Sequence, residues 1–222
     1  MSELIKIENY KRNLSKIFEL NIENFQLNTG EILAVTGPNG SGKTTFLHVL
    51  SLLEFDVTEG TITFKNNIVN KKNFRQYRKK ITFVSTHPYI FSGSIQKNIQ
   101  LGLVNHNYSK AEIVELGDEI LGKIGLLHRK KENASNLSSG LKQRLAVARA
   151  LVFKPEVVLL DEPFANTDEE TKKILINLIQ IYNRNHNTSF IFSTHDHDIT
   201  DKLTNKIRTI INGKYYPNLI EY

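Results

Sequence analysis

Lys43 and Thr44 stand near the end of the run Gly37-Pro38-Asn39-Gly40-Ser41-Gly42-Lys43-Thr44-Thr45, which fills every fixed place of the pattern G-x-x-x-x-G-K-[ST]. Residues of these types at this spacing hold a row of phosphates. Glycines at 37, 40 and 42 permit dihedrals that a side chain obstructs, so successive backbone N–H groups can turn inward toward β- and γ-phosphate oxygens. Lys43 adds a full positive charge for those phosphates, and the Thr44 hydroxyl suits a bridging magnesium ion. The apolar run Glu31-Ile32-Leu33-Ala34-Val35 before the loop reads as a buried strand. Thr45-Phe46-Leu47-His48-Val49-Leu50 after it reads as a helix, whose N-terminus brings its own partial positive charge.

A second group of chemical residues ends the run Val157-Val158-Leu159-Leu160-Asp161-Glu162-Pro163. Four apolar residues followed by two acids describe a buried parallel strand that delivers carboxylates at its carboxyl end, where open α/β sheets bind ligands. Asp161 is expected to hold the magnesium through its water shell, and Glu162 to polarise the water that attacks the γ-phosphate. Neighbours on a strand point to opposite sides, so the two acids cannot share one task. A third run, Leu137-Ser138-Ser139-Gly140-Leu141-Lys142-Gln143-Arg144, opens a long helix through Ala150 with a serine cap and a glycine at its start.

These groups need a sheet edge to carry them. Strand-like runs recur at residues 4–8, 32–36, 60–65, 81–85, 157–161, 189–193 and 207–212, with helical patterns between most of them, which indicates an α/β protein. Residues 94 to about 150 lack a convincing strand and contain Ser109-Lys110-Ala111-Glu112, the spacing of a helix capping box. The expected organisation is one domain over residues 1–222 with a helical lobe, about 90–150, inserted in an α/β core. No internal repeat is evident.

Composition narrows the function classes. The chain has 222 residues and no cysteine, which excludes a disulfide scaffold or cysteine-ligated metal and fits a reducing cytosol. Neither a signal peptide nor a stretch of about 18 apolar residues occurs, so the chain is not expected to cross a membrane by itself. Its net charge of +6 gathers in short clusters, Lys71-Lys72-Asn73-Phe74-Arg75 with Arg78-Lys79-Lys80, and Arg129-Lys130-Lys131. Such clusters are solvated surface first, and otherwise contacts for lipid headgroups, a partner protein or nucleic acid.

The order of phosphate loop, L-S-x-G-x-x-Q-R helix and strand-D-E-P resembles the nucleotide-binding subunit of an ATP-binding-cassette (ABC) ATPase across nearly the whole chain. The resemblance implies a P-loop NTPase core with a mostly parallel sheet, an N-terminal antiparallel β part and the inserted helical lobe. It implies ATP and Mg2+ as ligands, with Lys43, Glu162 and His195 catalytic and with Thr44, Asp161 and Thr86 at the metal. Its signature is normally L-S-G-G-Q; Ser139 and Leu141 stand here at the third and fifth places, and Ser138, Ser139 and Gly140 are the expected γ-phosphate contacts. Ala165-Asn166-Thr167-Asp168 resembles the S-A-L-D loop, departing at Asn166 and Thr167, with Asp168 facing the opposite subunit. Ser193-Thr194-His195-Asp196 resembles the segment of the switch histidine, and His197 reads as surface. Tyr10 is the candidate to stack on adenine, with Phe18 the alternative and core packing an open reading for Tyr10.

In this family ATP is sandwiched between residues 37–45 of one subunit and 138–140 of another, so the expected partner is a head-to-tail copy or a second ABC subunit. Separate transmembrane permease subunits are the other expected partners, with a substrate-binding protein an added one and nucleic acid disfavoured. The location implied is peripheral, on the cytoplasmic face of the membrane. Tyr89, Ile90 and Phe91 either receive a membrane subunit's coupling helix or pack inside the lobe. Residues 91–99 resemble the corresponding stretch of exporters and also that of some importers of oxyanions such as tungstate; import is favoured over export because residues 131–136 lack the G-E-R-G-like run of fused exporters and stand-alone cassettes are commoner among importers. The competing classes are a soluble ABC ATPase acting on ribosomes, DNA or iron–sulfur assembly, and a regulatory nucleotide-binding module.

The family usually carries a glutamine in the place that Thr86 occupies within Phe83-Val84-Ser85-Thr86-His87-Pro88-Tyr89-Ile90-Phe91. Threonine is shorter, so looser coupling between metal and lobe is expected, or help from His87. Thr86→Gln should therefore alter magnesium dependence and basal ATP hydrolysis several-fold; both remaining at the wild-type level counts against a role for this position.

Overall fold

The runs Ile32–Thr36 (β3), Val157–Leu160 (β7) and Ser189–Ser193 (β8) contain no charged residue, which suits strands covered on both faces. They are the centre of a ten-stranded sheet in the computed structural model, which describes residues 2–15, 18–53, 55, 57–104 and 106–218. The other strands are β1 (Glu3–Ser15), β2 (Phe18–Asn28), β4 (Glu59–Phe64), β5 (Asn67–Ile68), β6 (Ile81–Val84), β9 (Ile207–Ile211) and β10 (Lys214–Tyr216). Their order is β5-β4-β1-β2-β10-β9-β3-β8-β7-β6. From β9 to β6 every pairing is parallel, while β1, β2, β4 and β5 pair antiparallel. β10 joins the halves, antiparallel to β9 and parallel to β2.

Register decides where chemistry can occur. Val35 lies opposite Ser193, Phe192 opposite Leu160, and Leu160 opposite Val84. The carboxyl ends of β3, β8, β7 and β6 therefore line one edge, and the phosphate loop, residues 194–195, the acids 161–162 and Thr86 all leave from it.

Alternate residues of the central strands feed opposite cores, as the pleat requires. Leu33, Val35, Val157, Leu159 and Ile191 face a core shared with α1 (Lys43–Ser51) and the antiparallel strands. Ala34, Val158, Leu160, Phe190 and Phe192 face the other, shared with α5 (Ser139–Leu151) and α6 (Glu169–His186). The remaining helices are α2 (Phe74–Arg78), α3 (Ile95–Leu101), α4 (Lys110–Lys123) and α7 (His197–Leu203). Between β6 and β7 the described residues form helices and turns, with α3 and α4 packed on α5. The capping box at α4 is present: Ser109 Oγ accepts from the Glu112 N–H and Glu112 Oε2 from the Ser109 N–H. No helix among the described residues is long and apolar enough to cross a membrane.

One buried amide ties the lobe to the loop after β6. Asn98, on α3, accepts from the Phe91 N–H at 2.9 Å and from Arg149 Nη1 at 3.2 Å, and donates to the carbonyls of Phe91 and Ser94. Arg149 in turn donates to the Tyr89 carbonyl at 2.7 Å and lies over the Phe91 ring. Burial presses the guanidinium pKa down, and its bonds to oxygen offset part of the cost of desolvating the cation. Asn98→Ala removes four bonds at a fully buried position, and a loss of roughly 2–4 kcal/mol in denaturant unfolding is expected. A loss below about 0.5 kcal/mol shows that the amide does not hold this junction.

Candidate nucleotide site

The loop between β3 and α1 is shaped by backbone that side chains cannot follow. Gly37 has φ 142°, and a Cβ there would lie 2.0 Å from the Ile210 carbonyl oxygen; Gly42 has φ 109°, and a Cβ there would press the Phe18 ring at 2.9 Å. Lys43 folds back over this loop, donating to the carbonyls of Gly37 at 2.8 Å and Pro38 at 3.1 Å, with its Nζ 3.2 Å from His195 Nε2. Burial lowers the Lys43 pKa, while the charges of Glu162 and Asp161 oppose that effect. A cation held by neutral carbonyls can exchange them for phosphate oxygens at little cost.

Asp161 is the buried centre. Its Oδ2 accepts from Thr44 Oγ1 at 2.8 Å and Thr86 Oγ1 at 3.2 Å, and its Oδ1 accepts from Ser193 Oγ at 2.7 Å. Ser193 also accepts from the Glu162 N–H at 2.8 Å. A carboxylate with two hydroxyls at one oxygen is an oxygen-only donor set, the kind a magnesium ion selects when phosphates complete its shell. The loop after β6 carries the Thr86 hydroxyl directly to Asp161. Thr86 and His87 also line a second cavity of about 240 Å³ with Ser139, Gln143 and Asn166.

Glu162 diverges from Asp161 by a turn rather than by the pleat. β7 ends at Leu160, one residue earlier than expected, and Glu162 has φ 45°, a conformation that costs a non-glycine residue energy. Its carboxylate comes 3.5 Å from His195 Nε2. A cavity of about 590 Å³ is lined by Phe18, Asn39, Gly40, Gly42, Lys43, Thr44, Thr45, Thr86 and Glu162. The cradle with Lys43, the Thr44 and Thr86 hydroxyls that bond Asp161, and the Glu162 carboxylate thus open on one space.

Other expected residues lie apart from that space within one chain. Ser138 caps α5, its Oγ accepting from the Leu141 N–H, and Ser138 and Ser139 are exposed. Gly140 packs on the start of α6, where a Cβ would meet Thr171 Oγ1 at 2.9 Å. Asp168 caps α6 by accepting from the Thr171 N–H at 2.6 Å, and Arg144 Nη2 lies 3.6 Å from it. Tyr10 requires correction: it is 1% exposed and sits in the core beneath the antiparallel strands, so it cannot stack on a base. Alternation from Ile5 and Ile7 would turn Tyr10 outward, but the irregularity at Asn9, with φ 51°, shifts the parity and turns it inward, whereas Phe18, at the start of β2, reaches the cavity. Ser193 was not singled out from the sequence as a functional residue, although a lone hydroxyl ending an apolar strand was the available signal.

Comparison with known proteins follows this geometry. The family model described as "ABC transporter" matches residues 20–165. The chain is 38% identical over 184 residues to the lipoprotein-releasing system ATP-binding protein LolD of Buchnera aphidicola, covering 81% of this chain and 80% of that one. It is 31% identical over 215 residues to the methionine import ATP-binding protein MetN of Clostridioides difficile, covering 95% and 67%. Among solved structures, cbiO1 from Clostridium perfringens, part of the ABC transporter complex cbiONQ, superposes with TM-score 0.85 at 28% identity over 97% of this chain and 87% of that one.

If Phe18 is the base-stacking ring, Phe18→Ala should weaken ATP binding by about 5- to 100-fold while leaving tripolyphosphate binding unchanged, because stacking on a base contributes roughly 1–3 kcal/mol. Equal losses for both ligands in calorimetric titration would assign Phe18 to loop support instead.

Proposed function

Because the chain belongs to the ABC transporter family as an ATP-binding subunit, we propose that it binds MgATP over residues 37–45 and completes the site with residues 138–140 of a second subunit. The carrying observation is the contact series Lys43 Nζ to His195 Nε2 at 3.2 Å and His195 Nε2 to Glu162 Oε1 at 3.5 Å, beside the phosphate loop. Lys43 holds the β- and γ-phosphates, Glu162 takes a proton from the attacking water, and His195 orients the γ-phosphate between them. Thr44 and Asp161, with Thr86 adjacent, would hold a magnesium ion, which would supply neutralisation of phosphate charge. Ser138 and Ser139 offer hydroxyls and Gly140 a backbone N–H at the start of α5, while Asp168 stands beside them at the expected subunit boundary.

ATP closes the dimer and hydrolysis lets it open, and this movement, which drives transport, has a receiver. A groove of about 540 Å³ between core and lobe is lined by Phe83, Tyr89, Phe91, Val104, Arg149 and Phe153, among others. Tyr89 is 70% and Val104 65% exposed, so these side chains are not packed inside the lobe. We assign the groove to a segment of a membrane permease, which places the chain peripherally on the cytoplasmic face.

Cargo and direction follow the relatives. The expectation of import rested partly on the stand-alone cassette, yet the chain spans 80% of the Buchnera LolD and 92% of the Pseudoalteromonas translucida LolD, which are stand-alone proteins of similar length. A lone cassette therefore does not favour import. Release of a lipid-linked cargo is the preferred reading, with methionine import second on the lower identity of MetN. The tungstate-like oxyanion reading is withdrawn, since these relatives are named for lipoprotein release and methionine import.

Glu162→Gln tests the assignment. Hydrolysis should fall by about 10²- to 10⁴-fold with ATP affinity retained, and ATP should then hold the subunits as dimers in size-exclusion chromatography. A variant hydrolysing at the wild-type rate removes Glu162 from the mechanism.

A further inference from the structure

The positive charge of this chain is not spread over it. Between Glu59 and Glu112, residues 60–111 contain nine lysines and arginines and no aspartate or glutamate. That stretch alone exceeds the whole-chain charge of +6, so the remainder of the molecule is net negative. Lys65 and Lys80 are neutralised by Glu156 at 2.7 and 3.0 Å. Lys71, Lys72, Arg75, Arg78 and Lys79 are all exposed and, among the described residues, none forms an ion pair with a carboxylate. Phe55 stacks on Phe74, and the acids flanking it in sequence, Glu54 and Asp56, lie outside the described residues. Counted fully against the five cations of the patch, those two still leave three in excess.

Position gives the patch its meaning. α2 carries no buried side chain, and Arg78 at its end lines the groove assigned above to the permease. Across the groove, Arg149 has only carbonyl, amide and ring partners, and no acid appears in the groove lining. The charge of Lys79 adds to burial in lowering the pKa of His106, so the basic face extends to the lobe side. The permease is a poor source of counter-charge, because cytoplasmic loops of membrane proteins are themselves enriched in lysine and arginine. The cytoplasmic leaflet is anionic and attracts basic segments within a Debye length.

We propose that Lys71, Lys72, Arg75 and Lys79, with Arg78 at the groove rim, form an electrostatic seat for anionic phospholipid headgroups beside the permease groove. The inference rests on the transporter reading for the direction the groove faces. Lipid binding would hold the cassette close to the bilayer while the dimer opens, and would orient the groove before a permease is met.

The test is sedimentation of the full chain, without permease, with vesicles of phosphatidylcholine alone or with about one-third phosphatidylglycerol. Affinity for anionic vesicles should exceed that for neutral ones by at least about tenfold and fall steeply between roughly 0.05 and 0.5 M salt. The variant K71E/K72E/R75E/K79E should lose that preference while keeping its melting temperature and ATP hydrolysis, since all four side chains are exposed and outside the nucleotide site. Equal sedimentation with both vesicle types overturns the proposal, as does a variant that still binds anionic vesicles like the wild type. Salt-sensitive binding to RNA with indifference to vesicles also overturns it. Co-purification with a permease in detergent, read separately, tests the transporter assignment; anionic-vesicle binding lost only in the variant supports the lipid seat even where no permease is captured.

Discussion

The buried carboxylate of Asp161 is the constraint on which the site depends. Its partners in this chain are hydroxyls rather than cations, Thr44 from the phosphate loop helix, Ser193 from β8 and Thr86 from the loop after β6. A buried carboxylate pays a desolvation cost that only good hydrogen bonds offset, so each of these elements is held where it can donate. Ser193 accepts from the Glu162 N–H while donating to Asp161, and this fixes the turn that aims Glu162 away from its neighbour. The proposed metal side and the proposed water-activating side of the chemistry are thereby set by one node.

The same rigidity suits the proposed composite site, in which each chain supplies half. The start of α5 is occupied with its own fold: Gly140 abuts α6, Asp168 caps that helix, and Arg144 bonds Thr171 and Glu170. These contacts lock the α5 N-terminus to α6 and leave Ser138 and Ser139 turned to solvent, while the phosphate loop faces a separate cavity. A rigid donor set that cannot reach the phosphate from within its own chain is suited to a partner's nucleotide.

Much of this was legible in the sequence, for physical reasons that differ by element. The parallel strands announce themselves because burial on both faces demands unbroken apolar runs, and glycine spacing marks the phosphate loop because backbone geometry there admits little else. β2 was missed as a strand: Phe18-Glu19-Leu20-Asn21-Ile22-Glu23-Asn24 alternates, yet its asparagines and glutamates have low strand propensity and only pairing with β1 secures them. Tyr10 failed as a base platform because its side depends on the register of β1 against β2 and β4, which no local pattern specifies. For Thr86 the sequence shows only a side chain shorter than glutamine, whereas its 3.2 Å approach to Asp161 is set by the path of the loop after β6.

That path also links chemistry to the groove. Thr86 is bonded to Asp161, and three residues later the Tyr89 carbonyl is bonded to Arg149, a span of at most about 10 Å of extended chain. Arg149 passes the connection to Asn98, which clamps both backbone groups of Phe91. Pro88 stiffens the middle of the segment, and the groove wall formed by Tyr89 and Phe91 has no slack between these anchors. Any ligand that draws Thr86 or Asp161 toward a cation must therefore either stretch the Tyr89–Arg149 bond or move the aromatic wall with it. The Tyr89–Arg149 bond is short, at 2.7 Å, and has a charged donor, which favours moving the wall over breaking it. A short threonine in direct contact with Asp161 thus makes this connection stiffer than its side-chain length implies.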